Sequence, residues 1–148
     1  MAKYSFCVLL PTKNERENIK HMIKSIRKHC NYEIIVSDEN SPDGTAKIAR
    51  SLGVKVFPRK NSGYGNALIE SLQNAKKLGH THLLVTDCDR TYPVECIKKL
   101  TKAAIEGYDL VNASRKISDI RFFHRLPNQF HTFLVRLLYG GRVTDVNS

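Results

Sequence analysis

Glu33-Ile34-Ile35-Val36-Ser37-Asp38-Glu39-Asn40-Ser41-Pro42-Asp43-Gly44-Thr45 is the stretch whose reading decides the fold. Ile34-Ile35-Val36 is a short run of β-branched residues, the mark of a strand buried on both faces. Carboxylates and small polar residues follow at once, and Ser41 to Thr45 reads as a turn that opens a short helix through Leu52. Gly53 can end that helix. Buried strand, polar loop, helix is the repeating piece of a parallel α/β sheet.

The same order extends in both directions. Upstream, Tyr4 to Leu10 is strand-like, and Glu15 to about Lys28 places Ile19, Met22, Ile23 and Ile26 at helical spacing. Asn14 is the expected N-cap, with Glu15 and Glu17 in the first turn, where the helix dipole favours negative charge. Downstream, Val54 to Phe57 is a third strand, and Gly63-Tyr64-Gly65 opens a helix to about Leu78, with Gly79 as its stop. His82 to Thr86 is a fourth strand. Pro93 begins a helix to about Ile105, and Asp109 to Ala113 is expected as a fifth strand. Pro127 to Tyr139 again has a helical pattern. Phe130, Phe133, Leu134, Leu137 and Leu138 share one side of it, read as a core face in preference to a face that meets lipid. The expected fold class is α/β, a mostly parallel sheet flanked by helices in a Rossmann-like arrangement. Residues 1–148 are read as one domain.

Composition sets the boundaries. Hydrophobic residues make up 41% and charged residues 26%, in keeping with a folded globular chain. No apolar run nears the ~20 residues of a spanning helix, and the N-terminal apolar run is too soon interrupted by Pro11 for a secretory signal. Cys7, Cys30, Cys88 and Cys96 form no C-x-x-C pair and read as free thiols in a reducing compartment. A net charge of +10 favours polyanionic partners. Arg115, Lys116, Arg121, Arg125, Arg136 and Arg142 crowd one stretch against Asp119. A nucleic-acid partner is not expected, on the reading that the basic residues are not interleaved with exposed aromatics and that no known reader motif is present.

Right-handed crossovers put the strand-to-helix loops at one rim of such a sheet, where ligands bind. The polar clusters fall there: Pro11-Thr12-Lys13-Asn14-Glu15, Asp38-Glu39-Asn40-Ser41, Asp87-Cys88-Asp89 and Ser114-Arg115. Asp87 and Asp89 follow the buried run Leu83-Leu84-Val85. Two carboxylates at a strand end suit Mg²⁺ or Mn²⁺, hard ions bound by a few carboxylates plus substrate phosphates. Asp38 can accept hydrogen bonds from a base or a ribose, though an Asx turn also explains it. Glu39 is read as facing solvent. Arg59 and Lys60 are near enough in sequence to meet a phosphate.

Taken together, five segments resemble the inverting family 2 glycosyltransferases of GT-A fold, in the branch of dolichol-phosphate mannosyltransferase and other polyprenyl-phosphate sugar transferases. Leu10 to Ile19 resembles P-T-x-N-E-x-x-N-I, and Ile34 to Thr45 resembles I-I-V-V-D-D-x-S-P-D-G-T. Gly63 to Leu68 resembles G-x-G-x-A-L. Asp87 to Glu95 resembles D-A-D-x-x-x-P-P-E, and Asp109 to Arg115 resembles D-V-V-x-G-S-R. Departures are Glu39 for the second Asp, Lys13 for a common aromatic, and Ser71 and Ala113 for common glycines. Thr144 to Ser148 resembles the start of D-x-x-S-G-F-R and stops before its Gly, so the chain is expected to be a C-terminally shortened form.

The resemblance implies a donor that is a nucleotide-diphosphate sugar, GDP-mannose or UDP-glucose, and a polyprenyl or dolichyl phosphate acceptor. It implies metal binding by Asp87 and Asp89, with Asp87 nearer the nucleotide. Pro11, Asn14, Glu15, Asp38, Gly63 and Gly65 are expected to line the nucleotide-sugar site. Ser114, Arg115, Arg125 and Arg136 are expected at the acceptor phosphate, and Asp89, Arg115 and Asp145 at the reaction centre. The expected location is the cytoplasm, peripheral at the cytoplasmic face of a membrane. A nucleotide-sugar-binding domain without turnover is the alternative.

Overall fold

The computed structural model describes residues 4–61, 63–90, 92–113, 127, 129–130, 132–135 and 137. The chain divides into two compact units, Met1–Gly107 and Tyr108–Ser148. The first alternates strand and helix: β1 (Phe6–Thr12), α1 (Arg16–His29), β2 (Glu33–Asp38), α2 (Thr45–Ser51), β3 (Lys55–Pro58), α3 (Tyr64–Lys77), β4 (His82–Val85) and α4 (Cys96–Ile105). The sheet runs β3-β2-β1-β4, and every pairing in it is parallel. This is the expected α/β architecture.

Period-2 alternation divides the core between the two faces of the sheet. Val8, Leu10, Ile34 and Val36 pack with Ile19, Met22, Ile23 and Ile26 of α1, Ala49 of α2 and Ile97 of α4. Cys7, Leu9 and Ile35 face the other way, against Ala75 of α3. The four α1 residues are the ones whose spacing marked the helix, and each is at most 2% exposed. Burial of a side chain of this size stabilises by roughly 1.5–3 kcal/mol, so packing, rather than helix propensity, holds α1 in place. All four cysteines are free.

Pro11 sits inside β1 without breaking the sheet. β4 pairs with β1 only as far as Leu9, whose carbonyl accepts the last bond on that side from the Thr86 N–H at 3.1 Å. The missing N–H of Pro11 falls beyond the end of β4, so no ladder bond is lost.

Three expectations change. Asn14 is not the N-cap of α1. It takes a left-handed φ of 58°, and the helix start is capped from the next loop instead. The N–H groups of Asn14, Glu15 and Arg16 donate to Ser41 Oγ (2.9 Å), Thr45 Oγ1 (2.9 Å) and Asp43 Oδ2 (3.0 Å). The residues Ser41, Asp43 and Thr45 thus tie the first rim loop to the second. Asp109 to Ala113 is not a strand. Its only adjacent apolar pair is Leu110-Val111, which would point to opposite faces, and Leu110 is 89% exposed. With that side chain left in solvent, nothing offsets the entropy of ordering the segment. The third concerns the helical residues from Pro127 onward. Phe130, Phe133 and Leu137 are exposed rather than forming a core face, Leu134 is partly buried, and Leu138 lies outside the described residues. Among the described residues, no helix is long and apolar enough to cross a membrane.

At the amino edge of the sheet, Glu33 accepts from Lys55 Nζ (2.7 Å) and lies 2.8 Å from His80 Nε2, while His80 Nδ1 lies 3.0 Å from Ser5 Oγ. The hydrogen bond from Lys55, then that of His80, hold the Glu33 carboxyl below its ordinary value of 4.5. A depressed folded-state value means stability that is present above 4.5 and lost as pH falls through the folded value. Glu33→Gln is expected to lower the neutral plateau slightly and to flatten the acid limb below 4.5, so that the variant and wild-type curves converge at low pH. Urea unfolding across that range checks it. The group is partly exposed, so solvent screening keeps the effect small.

Candidate active site

The carboxyl ends of the strands open on a cleft of about 280 Å³. β1 supplies Pro11 and Thr12, and the loop after it Lys13 and Glu15. Glu39 enters from the end of β2, Arg59 from the end of β3, and Tyr64 from the first turn of α3. Asp87, Cys88 and Asp89 close the wall after β4. Four strand ends therefore meet at one site: those of β1, β2 and β4 as the polar clusters implied, and that of β3 in place of the expected fifth strand, whose Ser114 and Arg115 lie outside the described residues.

The acidic wall shows what the site is suited to hold. Burial, then the charges of Asp89 and Glu15, push the half-buried Asp87 carboxyl above its usual value. Anionic oxygens gathered this way disfavour one another until a cation joins them. Among the described residues no three His, Cys, Asp or Glu side chains group as a metal site. A two-carboxylate set is what Mg²⁺ or Mn²⁺ uses when phosphate and water complete its shell. Cys88 lies between the two aspartates, 2% exposed. Burial first, and then the neighbouring carboxylates, push its thiol up to about 12, so it stays protonated and is a wall rather than a ligand for a soft metal. The donor set fits a hard divalent ion.

The acidic loop is anchored to the first one through α1. Arg90, at φ 65°, donates from Nε to Asn18 Oδ1 (2.9 Å), and Asn18 Nδ2 donates to Glu15 Oε2 (2.8 Å). This bridge fixes Glu15 against the Asp87–Asp89 turn. Sequence reading missed it, because nothing in local pattern pairs residues 18 and 90.

Asp38 is placed differently from its expected role. It is 3% exposed and does not line the cleft. Its Oδ1 accepts from Thr12 Oγ1 (2.8 Å) and Ser41 Oγ (2.7 Å), and its Oδ2 accepts from the Ser41 N–H (2.8 Å). It joins the end of β1 to the loop that caps α1. Asp38→Ala would leave buried donors unpaired and is expected to lower stability by about 2–3 kcal/mol, read as a lower urea midpoint at unchanged m-value.

Glu39, expected to face solvent, is held in the cleft instead. Its Oε1 accepts from Lys13 Nζ (2.7 Å) and its Oε2 from Arg59 Nη2 (2.9 Å). The bond from Lys13, the larger influence, and the Arg59 charge hold its carboxyl below the usual range. Arg59 is 7% exposed. It also donates to the carbonyls of Thr12 (3.1 Å) and Gly63 (3.3 Å), and its own N–H reaches the Asp38 carbonyl at 2.8 Å. One guanidinium thus binds the ends of β1 and β2 to the start of α3.

Pro11, Glu15, Asp87 and Asp89 are brought together, as expected. Asn14, Gly63 and Gly65 do not line the cleft. Gly63 precedes α3 with a φ of 98°, a conformation that favours glycine. Gly65 is helical, with open space where a Cβ would stand. Ser114, Arg115, Arg125, Arg136 and Asp145 lie outside the described residues. Thr12, within the polar cluster read at this rim, and Tyr64 are wall residues that were not singled out as site residues; a Tyr between two glycines at a helix start was the available signal for the second.

Comparison with known proteins gives the same result. The model of the family "Glycosyl transferase family 2" matches residues 7–145. Dolichol-phosphate mannosyltransferase of Pyrococcus furiosus is 36% identical over 132 residues, covering 80% of this chain and 37% of that protein. Glycosyltransferase AglJ of Haloferax volcanii is 33% identical over 147 residues, covering 96% of this chain and 48% of that protein. The chain therefore spans less than half the length of these two relatives. Glucosyl-3-phosphoglycerate synthase of Mycobacterium tuberculosis, solved with Mn²⁺ and UDP-glucose, superposes with a TM-score of 0.62 at 26% identity, over 72% of this chain and 41% of that one. The parallel sheet and its flanking helices have the GT-A arrangement. With a family match over nearly its whole length, the chain belongs to glycosyltransferase family 2.

Proposed function

We propose that this chain is the catalytic domain of an inverting hexosyltransferase. It moves mannose or glucose from GDP-mannose or UDP-glucose to a polyprenyl or dolichyl phosphate, assisted by Mg²⁺ or Mn²⁺. The observation that carries this reading is that Asp87 and Asp89 open onto the same cleft as Glu15 and Glu39 of the first two loops. Names of relatives add support: one is a dolichol-phosphate mannosyltransferase and another an undecaprenyl-phosphate 4-deoxy-4-formamido-L-arabinose transferase.

Asp87 and Asp89 would hold the divalent ion. Bound there, it would neutralise charge on the departing nucleoside diphosphate. Glu15, fixed by Asn18, can accept from ribose hydroxyls. Pro11 and Thr12 form the floor beneath the nucleotide, and Glu39 is a further acceptor at its edge. An acceptor phosphomonoester, with a second pKa of about 6, is largely dianionic near neutrality. Such an oxygen needs little help from a base, so placement and electrostatics carry most of the catalysis. Ser114, Arg115, Arg125 and Arg136 are proposed for that phosphate, where Arg offers bidentate contact. Asp145 is proposed near the nucleophile. The exposed apolar side chains of Phe130, Phe133 and Leu137 support a peripheral contact with the cytoplasmic face of the membrane that carries the acceptor.

Thermal unfolding with Mn²⁺ and a panel of nucleotides tests the reading. A donor or its diphosphate at a hundred times its Kd should stabilise by about 2.7 kcal/mol, only when the metal is present. No shift with any nucleoside diphosphate would overturn it. A shift without sugar transfer to a lipid phosphate would favour the binding-only alternative.

A further inference from the structure

We propose that the outward surface of α1 and α2 is a docking face for an anionic lipid bilayer. Apart from Glu17, every exposed position of α1 is basic or titratable to a cation: Arg16, Lys20, His21, Lys24, Arg27 and Lys28. α2 adds exposed Lys47 and Arg50. Lys20, Lys24 and Lys28 recur every four residues, so they stand in one row along the helix.

Two features separate this face from an ordinary solvated one. First, Lys20, Lys24, Arg27, Lys28, Lys47 and Arg50 make no ion pair among the described residues and lie together on two adjoining helices, whereas the other unpaired helix lysines come only as Lys76-Lys77 on α3 and Lys98-Lys99 on α4. Arg27 is oriented across the seam, donating from Nη2 to the Leu52 carbonyl at the end of α2 (2.8 Å). Second, carboxylates are scarce on this face: of the exposed positions of α1 and α2 only Glu17 is acidic, while Glu15, Glu39, Asp87 and Asp89 line the cleft. A field so divided orients the domain as it nears a negative surface. Lys20 lies only five residues beyond Glu15, about 8 Å along the helix axis. The row therefore begins within two helical turns of the cleft residue Glu15.

The chemistry favours a bilayer over nucleic acid. The row is mostly Lys, a point charge suited to a diffuse field of headgroups, rather than the Arg fork that grips single phosphates. It also contains no aromatic side chain on which bases would stack.

The partner chosen rests on the lipid-phosphate reading above, and the experiment separates the two. Vesicles of phosphatidylcholine, with or without phosphatidylglycerol, are pelleted with the full chain at about 0.1 M and about 0.5 M NaCl. Thermal shift with Mn²⁺ and UDP or GDP is run on the same samples. Wild type should pellet only with the anionic vesicles and be released by salt. Lys20→Gln/Lys24→Gln/Lys28→Gln should weaken partition roughly 100-fold, about five-fold per cation, with the nucleotide shift unchanged. Gln is a good helix former, and Lys47→Gln/Arg50→Gln provides a second, independent variant with a smaller loss in the same direction. Binding to neutral vesicles alike, binding insensitive to both salt and the substitutions, or tighter association with single-stranded RNA than with anionic vesicles would each overturn the proposal. A wild type that binds nucleotide but does not pellet with the anionic vesicles would end this inference alone. A wild type that binds no nucleotide would end the functional reading.

Discussion

Asp89→Ala is expected to abolish metal-dependent donor binding and to lower sugar transfer by on the order of 10³-fold or more, while the protein unfolds at nearly the wild-type temperature. The two halves of that result have separate causes. Asp89 is exposed at the cleft and belongs to no core cluster, so its removal leaves packing untouched. It also raises the Asp87 carboxyl by its charge, so deleting it relieves like-charge repulsion there. What is lost is one of the two carboxylates suited to hold a divalent ion, and one carboxylate plus phosphate is a poor site. Asp89→Asn is the finer control. It keeps the shape and one neutral oxygen and loses the charge, so affinity for Mn²⁺ with nucleoside diphosphate should fall nearly as far as with Ala. Calorimetric titration of Mn²⁺ with UDP or GDP reads this directly. Unchanged affinity in either variant would remove Asp89 from the metal site.

Arg59→Ala is expected to be the most damaging single change to the rim. It would lower stability by about 3 kcal/mol or more, a drop in melting temperature of roughly 10 °C for a chain of this size. The guanidinium is buried and holds the Thr12 and Gly63 carbonyls as well as Glu39. Removing it leaves those acceptors without a donor and opens a cavity beneath the cleft. Arg59→Lys should recover part of the loss, since one ammonium can still reach Glu39 but cannot span three partners in a fixed plane. The two variants together, followed by urea unfolding, separate the role of charge from that of geometry. Nucleotide affinity should fall with both, because Glu39 and the first turn of α3 lose their common support. If Arg59→Ala unfolds within about 0.5 kcal/mol of wild type, the rim is held by something other than this residue.

Much of this arrangement was legible in the residues. The four strands and four helices of the first unit follow from apolar runs bounded by Gly, Pro and Asp, with ends displaced by a few residues. α1 was read from Ile19, Met22, Ile23 and Ile26, and those four are the core of its layer. The convergence of the loops after β1, β2 and β4 was also readable, because parallel crossovers leave them nowhere else to go. What could not be read was who bonds whom across loops. Asn14 has the local chemistry of an N-cap, yet Ser41, Asp43 and Thr45 take that role from a distant segment. Asp38 and Glu39 are adjacent carboxylates with no pattern to rank them. The strand pleat decides it: Asp38 turns inward to Thr12 and Ser41, leaving Glu39 to the cleft. Asp109 to Ala113 shows the opposite error. It closes the expected strand–helix alternation, but Leu110 and Val111 alone do not bury enough surface to order a strand.

The most direct test of the central claim is a crystal soaked with Mn²⁺ and UDP or GDP, with data collected at the manganese edge. An anomalous peak about 2.1 Å from oxygens of Asp87 or Asp89 and from the diphosphate, with the nucleoside lying toward Glu15 and Glu39, is the predicted result. A peak elsewhere on the protein, or a nucleotide seated away from the cleft between the first, second and fourth strand ends, would contradict it.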